Sequence, residues 1–198
     1  MNFFEIFFLN LGLSWTAAKI VPYILAVCFG FVLFIIFSKF AKSFRGKKII
    51  SIALIFAPVS LYFALYPIYE GDFSNYSKTV KTSKIFGDTQ KLTVIAIPNC
   101  PYCFESIQKL KLIRQRIPSA KIEFLVCTEN ENDLFLYKNE AHNQFDVEIY
   151  PESAELAELI GNKFPSFITA GQNNELKIWS NSEFGVTAID EVEELLGK

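Results

Sequence analysis

The most informative part of the chain is residues 91–117, KLTVIAIPNCPYCFESIQKLKLIRQRI. The first seven residues are apolar and rich in β-branched side chains, which predicts a buried strand over 91–97. Beyond the turn PNCPYC, apolar side chains recur at the spacing of a helix that ends before Pro118. These side chains are Phe104, Ile107, Leu110, Ile113 and Ile117. The segment therefore predicts a strand that leads directly into a helix, with two cysteines at the junction.

The residues that follow extend this pattern into one α/β domain over 91–198. We predict a strand over 121–127, helices over 133–143, 151–160 and 187–196, and two short strands over 167–170 and 175–179 around a GQNN loop. A strand–helix–strand unit with a short return favours parallel pairing of its strands. The order βαβ, helix, ββ, helix predicts a central mixed sheet with flanking helices.

The N-terminal part of the chain has a different composition. Residues 1–70 contain six basic and two acidic side chains, whereas residues 71–198 contain 13 basic and 19 acidic ones. Two runs, residues 20–37 and 49–69, carry no charge over 18 and 21 residues. At about 1.5 Å per residue, 18 helical residues span about 27 Å, close to the hydrocarbon thickness of a bilayer. We therefore predict that residues 1–70 form a membrane anchor with a helical hairpin.

The loop between the two runs gives the hairpin an orientation. It reads SKFAKSFRGKK at 38–48, with five basic side chains and no acidic one, and short basic loops stay in the cytoplasm. Both termini and the domain that follows should then lie on the opposite side. A cleaved signal peptide is the alternative for the first run, but that run starts late and precedes a basic loop and a second apolar run. Two buried helices of a soluble core are the other alternative.

One segment precedes the two apolar runs and another follows them. Residues 3–15 are apolar but too short to span, and we interpret them as an interfacial helix on the outer leaflet. Residues 71–90 are polar, with several Ser and Thr, and read as a tether that could extend to about 70 Å. Val80 and the pair Ile85–Phe86 offer an additional N-terminal strand.

The chemistry is concentrated at Cys100 and Cys103. The N-terminus of a helix favours negative charge, so it stabilises the thiolate of Cys100, and Pro101 suits the first helical position. Cys103 is one turn further on, within reach of a mixed disulfide at Cys100. A structural zinc site needs further ligands, and the domain offers only Cys127 and His142 in addition, so we predict no metal. We interpret Cys127, like Cys28 in the first apolar run, as a packing residue.

On these residues, 91–198 resembles a thioredoxin-fold domain of the thioredoxin and glutaredoxin type. CPYC at 100–103 is identical to the glutaredoxin active-site tetrapeptide, and Phe164-Pro165-Ser166 stands where the superfamily keeps its cis-proline. The resemblance implies that Cys100 is the nucleophile, Cys103 the resolving thiol and Pro165 the residue that orients the substrate backbone. It also implies substrate contacts by the residues of both motifs. These are Pro101, Tyr102, Phe164, Pro165 and Ser166.

The chain departs from the superfamily in several positions, and one of them concerns the proton acceptor of Cys103. Many thioredoxins keep a buried acid six residues before the first cysteine, where this chain has Val94. Glu105 or a water would then have to accept the proton of Cys103.

The arrangement of apolar runs, tether and domain resembles bacterial membrane-anchored thioredoxin-like proteins. It implies a thiol–disulfide oxidoreductase without a cofactor, in the bacterial cytoplasmic membrane, that acts on protein thiols and disulfides at the periplasmic face. A reductant there needs a separate membrane electron carrier, because the hairpin holds only one cysteine, Cys28. The alternative function is a non-catalytic docking module or subunit of a membrane complex. The net charge of −2 excludes an electrostatic nucleic-acid binder.

Overall fold

The computed structural model describes residues 2–40, 47–81, 91–142, 144–150, 153–170 and 175–197. The chain forms two compact units, residues 1–70 and residues 71–198. The change in composition after residue 70 therefore coincides with a change in packing.

The N-terminal unit contains three helices in its described part. They are α1 (Phe3–Asn10), α2 (Trp15–Phe40) and α3 (Lys47–Leu65). α2 has 26 residues, and its most apolar window has a mean hydropathy of 2.8 and is only 11% buried. Among the described residues it is the one helix long and apolar enough to cross a membrane. The first predicted run, residues 20–37, lies inside this helix, so the chain has one candidate membrane anchor.

The second predicted run, residues 49–69, forms a shorter helix than expected. α3 ends at Leu65, and its apolar part, Ile49–Leu65, is at the lower limit of the length that crosses a bilayer. Part of the predicted basic loop, residues 41–46, lies outside the described residues. A second crossing therefore stays a proposal.

α2 and α3 nevertheless pack together at close range. A Cβ atom at Gly30 of α2 would lie 2.3 Å from the carbonyl oxygen of Ile55 in α3, so only glycine fits there. The Tyr23 hydroxyl donates to the carbonyl of Tyr66, and the Tyr23 ring meets the Tyr62 ring edge-on at 4.7 Å. The two helices thus form a closely packed pair.

α1 buries its polar side. The Glu5 carboxylate lies 3.5 Å from Nζ of Lys19 in α2, and Glu5 forms a capping box with Asn2. The Asn2 amide donates to the Tyr62 hydroxyl at 3.0 Å. Leu9 is buried as well, while Phe3, Phe4 and Phe7 are among the exposed side chains. α1 thus buries one charged side chain and exposes several large apolar ones, which is unusual for a helix on a water-soluble core.

The C-terminal unit contains six strands and four helices in its described part. The strands are β1 (Lys78–Lys81), β2 (Lys91–Ala96), β3 (Lys121–Val126), β4 (Asp146–Ile149), β5 (Ser166–Ala170) and β6 (Glu175–Ser180). The helices are α4 (Pro101–Arg116), α5 (Glu131–Ala141), α6 (Ser153–Leu159) and α7 (Val186–Leu196).

These strands form one mixed sheet in the order β1-β6-β5-β2-β3-β4. β2, β3 and β4 are parallel, and β5 pairs antiparallel with both β2 and β6. The predicted βαβ unit and the predicted ββ pair are therefore joined at the centre of the sheet. A mixed sheet with flanking helices fits the thioredoxin-like class that the sequence predicts.

Two outer strands complete the sheet. β4 is a short strand that the sequence analysis did not predict. β1 lies in the segment predicted as a tether, and it pairs antiparallel with β6 through Val80 and Leu176. The backbone N–H of Val186 also donates to the carbonyl of Asp72 at 2.8 Å. Residues 71–81 therefore contact the domain, and the rest of the predicted tether, residues 82–90, lies outside the described residues.

The sheet has a distinct core on each face, because side chains alternate along a strand. Ile95 of β2 and Leu125 of β3 pack with Leu156 of α6 in one buried cluster. The neighbouring Phe124 points the other way, and its ring lies 6.1 Å from that of Tyr137 in α5. α4 and α7 are joined by Arg116, whose Nε donates to the Glu193 carboxylate at 2.8 Å. The helix that starts at the cysteines is thus held to α7 at its C-terminal end.

Candidate redox-active site

Cys100 is the N-cap of α4. Its backbone is extended, with φ −89° and ψ 107°, and Pro101 takes the first helical position. The preceding Asn99 has φ +54°, in the left-handed region that asparagine tolerates, which turns the chain from β2 into the helix. Sγ of Cys100 accepts a hydrogen bond from the backbone N–H of Cys103 at 3.2 Å. The N–H of Cys103 in the first turn of the helix therefore points towards this sulfur.

Cys100 and Cys103 form a disulfide with a Cα–Cα distance of 5.2 Å. Cys100 is 7% exposed and Cys103 is fully buried at 0%, so of the two residues only Cys100 keeps any exposed area. The two cysteines are therefore unequal in exposure.

The second motif begins strand β5. The Phe164–Pro165 peptide bond is cis, and Pro165 is buried. Ser166 pairs with Ile95 near the end of β2, so Pro165 lies at the sheet edge from which the chain continues to Cys100. The two motifs thus meet at the same edge of the sheet although 60 residues lie between Cys103 and Phe164 in sequence.

The predicted substrate-contacting side chains differ in exposure. Tyr102 is 60% exposed, and Pro101 is exposed as well. Phe164 is half-buried and packs against the core cluster of Ile95 and Leu125. Ser166 is fully buried, and its hydroxyl donates to the carbonyl of Lys163 at 2.6 Å. Of these side chains, Tyr102 and Pro101 present surface to a partner, while the Ser166 hydroxyl is bound within its own turn.

The position six residues before Cys100 offers no acid for Cys103. Val94 is fully buried, and Glu105 is exposed on the first turn of α4. The Ser106 hydroxyl donates to the Cys103 carbonyl at 2.7 Å. Neither Val94 nor Ser106 is an ionisable acid, so the choice between Glu105 and a water as proton acceptor stays open.

Cys127 lies next to the site but has the properties of a packing residue. Its backbone N–H donates to the carbonyl of Ala96 at 2.9 Å, and its side chain packs against the core cluster of Ile95 and Leu125. Burial raises the pKa of the Cys127 thiol, which disfavours the thiolate. Among the described residues, no group of three or more His, Cys, Asp or Glu side chains could hold a metal ion.

Tyr137 is a residue at the site that the sequence analysis missed. Its hydroxyl donates to the carbonyl of Ile97 at 2.7 Å, and its ring stacks on Phe104 with a centroid distance of 4.5 Å. The helical spacing of Leu134, Tyr137 and Ala141, all buried on α5, is the signal that could have placed it in the core.

A cysteine pair of CxxC spacing at the start of a helix, on a mixed α/β sheet, fits the class of thioredoxin-like domains with a dithiol–disulfide site. Solved structures similar to the chain belong to that class. A secreted Mycobacterium tuberculosis disulfide oxidoreductase aligns with a TM-score of 0.43 and 12% identity, over 54% of this chain and 82% of its own. The thioredoxin domain of a thiol-disulfide oxidoreductase from Bacteroides vulgatus aligns with a TM-score of 0.39 and 12% identity, over 63% and 99%.

A thioredoxin-like protein from Bacteroides caccae aligns with a TM-score of 0.41 and 15% identity, over 72% of this chain and 62% of its own. No protein-family model and no curated protein matches the chain. Because each TM-score is below 0.5, we base the functional assignment on the site itself.

Proposed function

We propose that the protein is a membrane-tethered thiol–disulfide oxidoreductase that acts on protein thiols and disulfides outside the cytoplasm. One observation carries this proposal: the bonded pair Cys100–Cys103 at the N-terminus of α4, in which only Cys100 keeps any exposed area. The N–H of Cys103 that donates to Cys100 Sγ would also stabilise the Cys100 thiolate once the disulfide is reduced.

The reduced pair would act in two steps. The Cys100 thiolate attacks one sulfur of a substrate disulfide, the substrate S–S bond breaks, and the second substrate sulfur leaves as a thiolate that takes up a proton. Cys103 then loses its proton and attacks Cys100 Sγ, which restores the Cys100–Cys103 disulfide and releases the first substrate thiol. Two electrons pass to the substrate. The same steps in reverse oxidise a substrate dithiol, and the reduction potential of the pair decides which direction prevails.

The substrate would lie across Cys100 between the two motifs. The exposed Tyr102 ring gives an unfolded or extended chain an apolar surface. Pro165 and Phe164 would orient the substrate backbone, since Pro165 lies at the same sheet edge as Cys100 and its position precedes the first residue of β5. Ser166 would contribute through its place in the turn, because its hydroxyl is bound to Lys163.

The N-terminal unit would be the membrane anchor. α2 supplies one crossing, and α3, closely packed on α2, would supply the second. The five basic side chains of 38–48 would keep that loop in the cytoplasm, so that both termini and the thiols face the periplasm. Since the anchor contains only Cys28, a reductant with this topology would receive its electrons from a separate membrane carrier or complex subunit.

The cysteine pair itself can be tested in the full chain, purified in lipid nanodiscs. We expect the wild-type protein to catalyse insulin reduction or the repair of scrambled ribonuclease, and Cys100→Ser to lower the rate by a factor on the order of 10⁴. Cys103→Ser should accumulate a mixed disulfide with the substrate, visible on a non-reducing gel, because the resolving thiol is missing.

Cys127→Ser is the matched control, because it removes a neighbouring thiol that packs against the core and should leave the rate unchanged. A wild-type protein that is inactive in both assays, with a Cys100→Ser variant that still assembles normally in membranes, would contradict the proposal. That result would favour the non-catalytic docking module instead.

A further inference from the structure

Tyr137 contacts the chain on both sides of the CPYC motif. Its hydroxyl donates to the carbonyl of Ile97, three residues before Cys100, and its ring stacks on Phe104, the residue after Cys103. The ring planes are 18° apart with a centroid distance of 4.5 Å. A single side chain from α5 is thus in contact with the end of β2 and the start of α4.

The Tyr137 ring lies in the core, and its hydrogen bond to Ile97 is partly buried. Tyr137 is 1% exposed, and its ring also lies 6.1 Å from the ring of Phe124. Burial and the charge of Asp133 raise the pKa of Tyr137, so its hydroxyl stays protonated and acts as the donor. Without this donor, the half-buried Ile97 would lose the bond that ties its carbonyl to α5, and the turn would be freer to move.

The turn that Tyr137 holds also fixes the environment of the reactive sulfur. Residues 97–100 connect β2 to the N-cap of α4, and the Cys100 sulfur accepts from the Cys103 N–H only while this cap geometry persists. A shift of Ile97 would therefore change how well the helix N-terminus stabilises a thiolate at Cys100.

We propose that Tyr137 is a positioning residue for thiol–disulfide exchange: it holds the turn before Cys100 and the first turn after Cys103 in the arrangement that stabilises the Cys100 thiolate. This inference rests on the proposed function, since it assigns a role in the chemistry of the same cysteine pair. Tyr137 touches neither the substrate nor the sulfur atoms and acts through Ile97 and Phe104.

The test compares Tyr137→Phe with the wild type in the full chain in nanodiscs. The variant loses the hydrogen bond to Ile97 but keeps the ring on Phe104, so it should fold. Two quantities are measured: the equilibrium constant of the cysteine pair in glutathione redox buffers, and the rate of Cys100 alkylation in the reduced protein at pH 7. A less stabilised thiolate disfavours the reduced form. We expect the equilibrium to shift about threefold to tenfold towards the disulfide, with tenfold equal to about 30 mV for a two-electron couple, and the alkylation rate to fall by a similar factor.

Glu193→Gln is the matched control, because it weakens the contact of Arg116 at the far end of the same helix without reaching the turn. It should leave both quantities unchanged. Tyr137→Leu, which also loses the ring stack, should shift the equilibrium at least as far as Tyr137→Phe.

The proposal is overturned if Tyr137→Phe keeps the wild-type equilibrium constant and alkylation rate, whatever happens to its thermal stability. It is equally overturned if Glu193→Gln shifts both quantities as much as Tyr137→Phe does. Both readouts report on the cysteine pair and need no protein substrate. A wild-type protein without insulin or ribonuclease activity would therefore count against the proposed function and leave the comparison of Tyr137→Phe with the wild type intact.

Discussion

The two units of the chain differ in the side chains that they expose. In the N-terminal unit, Glu5 is 6% exposed while Phe3 is 76% exposed, and the middle of α2 shows Leu25 at 52%. In the C-terminal unit, Leu110 of α4 is fully buried, at 0% exposure, and the charged side chains of that helix are not among its buried residues. The hydrophobic effect drives apolar side chains inwards only where the surroundings are water. The exposed apolar surface of the N-terminal unit is the physical basis for our proposal that this unit lies in a membrane.

The largest difference between the two units is expected when a leucine in each is replaced by alanine. Leu110→Ala should lower the free energy of unfolding of the C-terminal unit by about 2–5 kcal/mol, because it leaves a cavity in a fully packed core. Leu25→Ala removes the same atoms from an exposed site on α2 and should change that quantity by less than about 0.5 kcal/mol. Hydrogen-exchange protection of the β2 amides, measured in nanodiscs, reports on the C-terminal unit alone. Equal losses in the two variants would contradict the distinction.

A charge placed on a similarly exposed leucine in each unit tests directly whether lipid or water surrounds that site. Leu25→Arg in α2, at a site 52% exposed, should weaken membrane insertion by about 2.5–3.5 kcal/mol if lipid surrounds this helix. Leu136→Arg in α5, at a site 49% exposed, should have almost no effect, because water already surrounds it. Carbonate extraction and vesicle flotation measure the membrane-bound fraction. Normal insertion of Leu25→Arg would remove α2 as the anchor.

The smallest expected effect concerns Cys127. Because burial raises the pKa of its thiol, a smaller fraction of Cys127 than of an ordinary cysteine is thiolate near neutral pH. Iodoacetamide should therefore label Cys127 more slowly than a free peptide cysteine at pH 7.5, and the rate should keep rising above the pH at which the peptide reaches its plateau. Quantitative mass spectrometry of the labelled peptide measures both rates. Labelling as fast as that of reduced Cys100 would mean that Cys127 belongs to the redox chemistry.

Local pattern was sufficient to predict the elements around the cysteines. β2 was expected over 91–97 and ends at Ala96, and the helix expected beyond the cysteines is α4, which starts at Pro101. Strong β-branched runs and helical spacing decide such elements without help from distant residues. α7 differs in detail: the prediction starts it at 187, whereas it starts at Val186 and its N-cap is Gly185, which has no side chain to form a cap hydrogen bond.

Features that depend on distant contacts were harder to predict. β4, with the sequence DVEI, has one buried residue and is defined by its pairing with β3 rather than by its own pattern. Tyr137 shows the same limit, because its spacing on α5 marks it as buried but does not reveal the bond to Ile97, 40 residues earlier. The CPYC part of the site could thus be predicted from sequence. The contacts that position this motif could not, because they form only when separate elements pack.

The pairing of β1 with β6 has a consequence for how copies of the protein behave near one another. Anchored proteins are confined to two dimensions, where sheet edges meet often, and an open edge invites strands of neighbouring molecules to join it. Here β1 covers β6 with a strand of four residues that ends in exposed Lys78 and Lys81, and the opposite border, β4, presents exposed Asp146 and Glu148. Lateral fusion of two sheets would have to dehydrate these charges. These short, charged edge strands therefore disfavour aggregation between the sheets of neighbouring molecules.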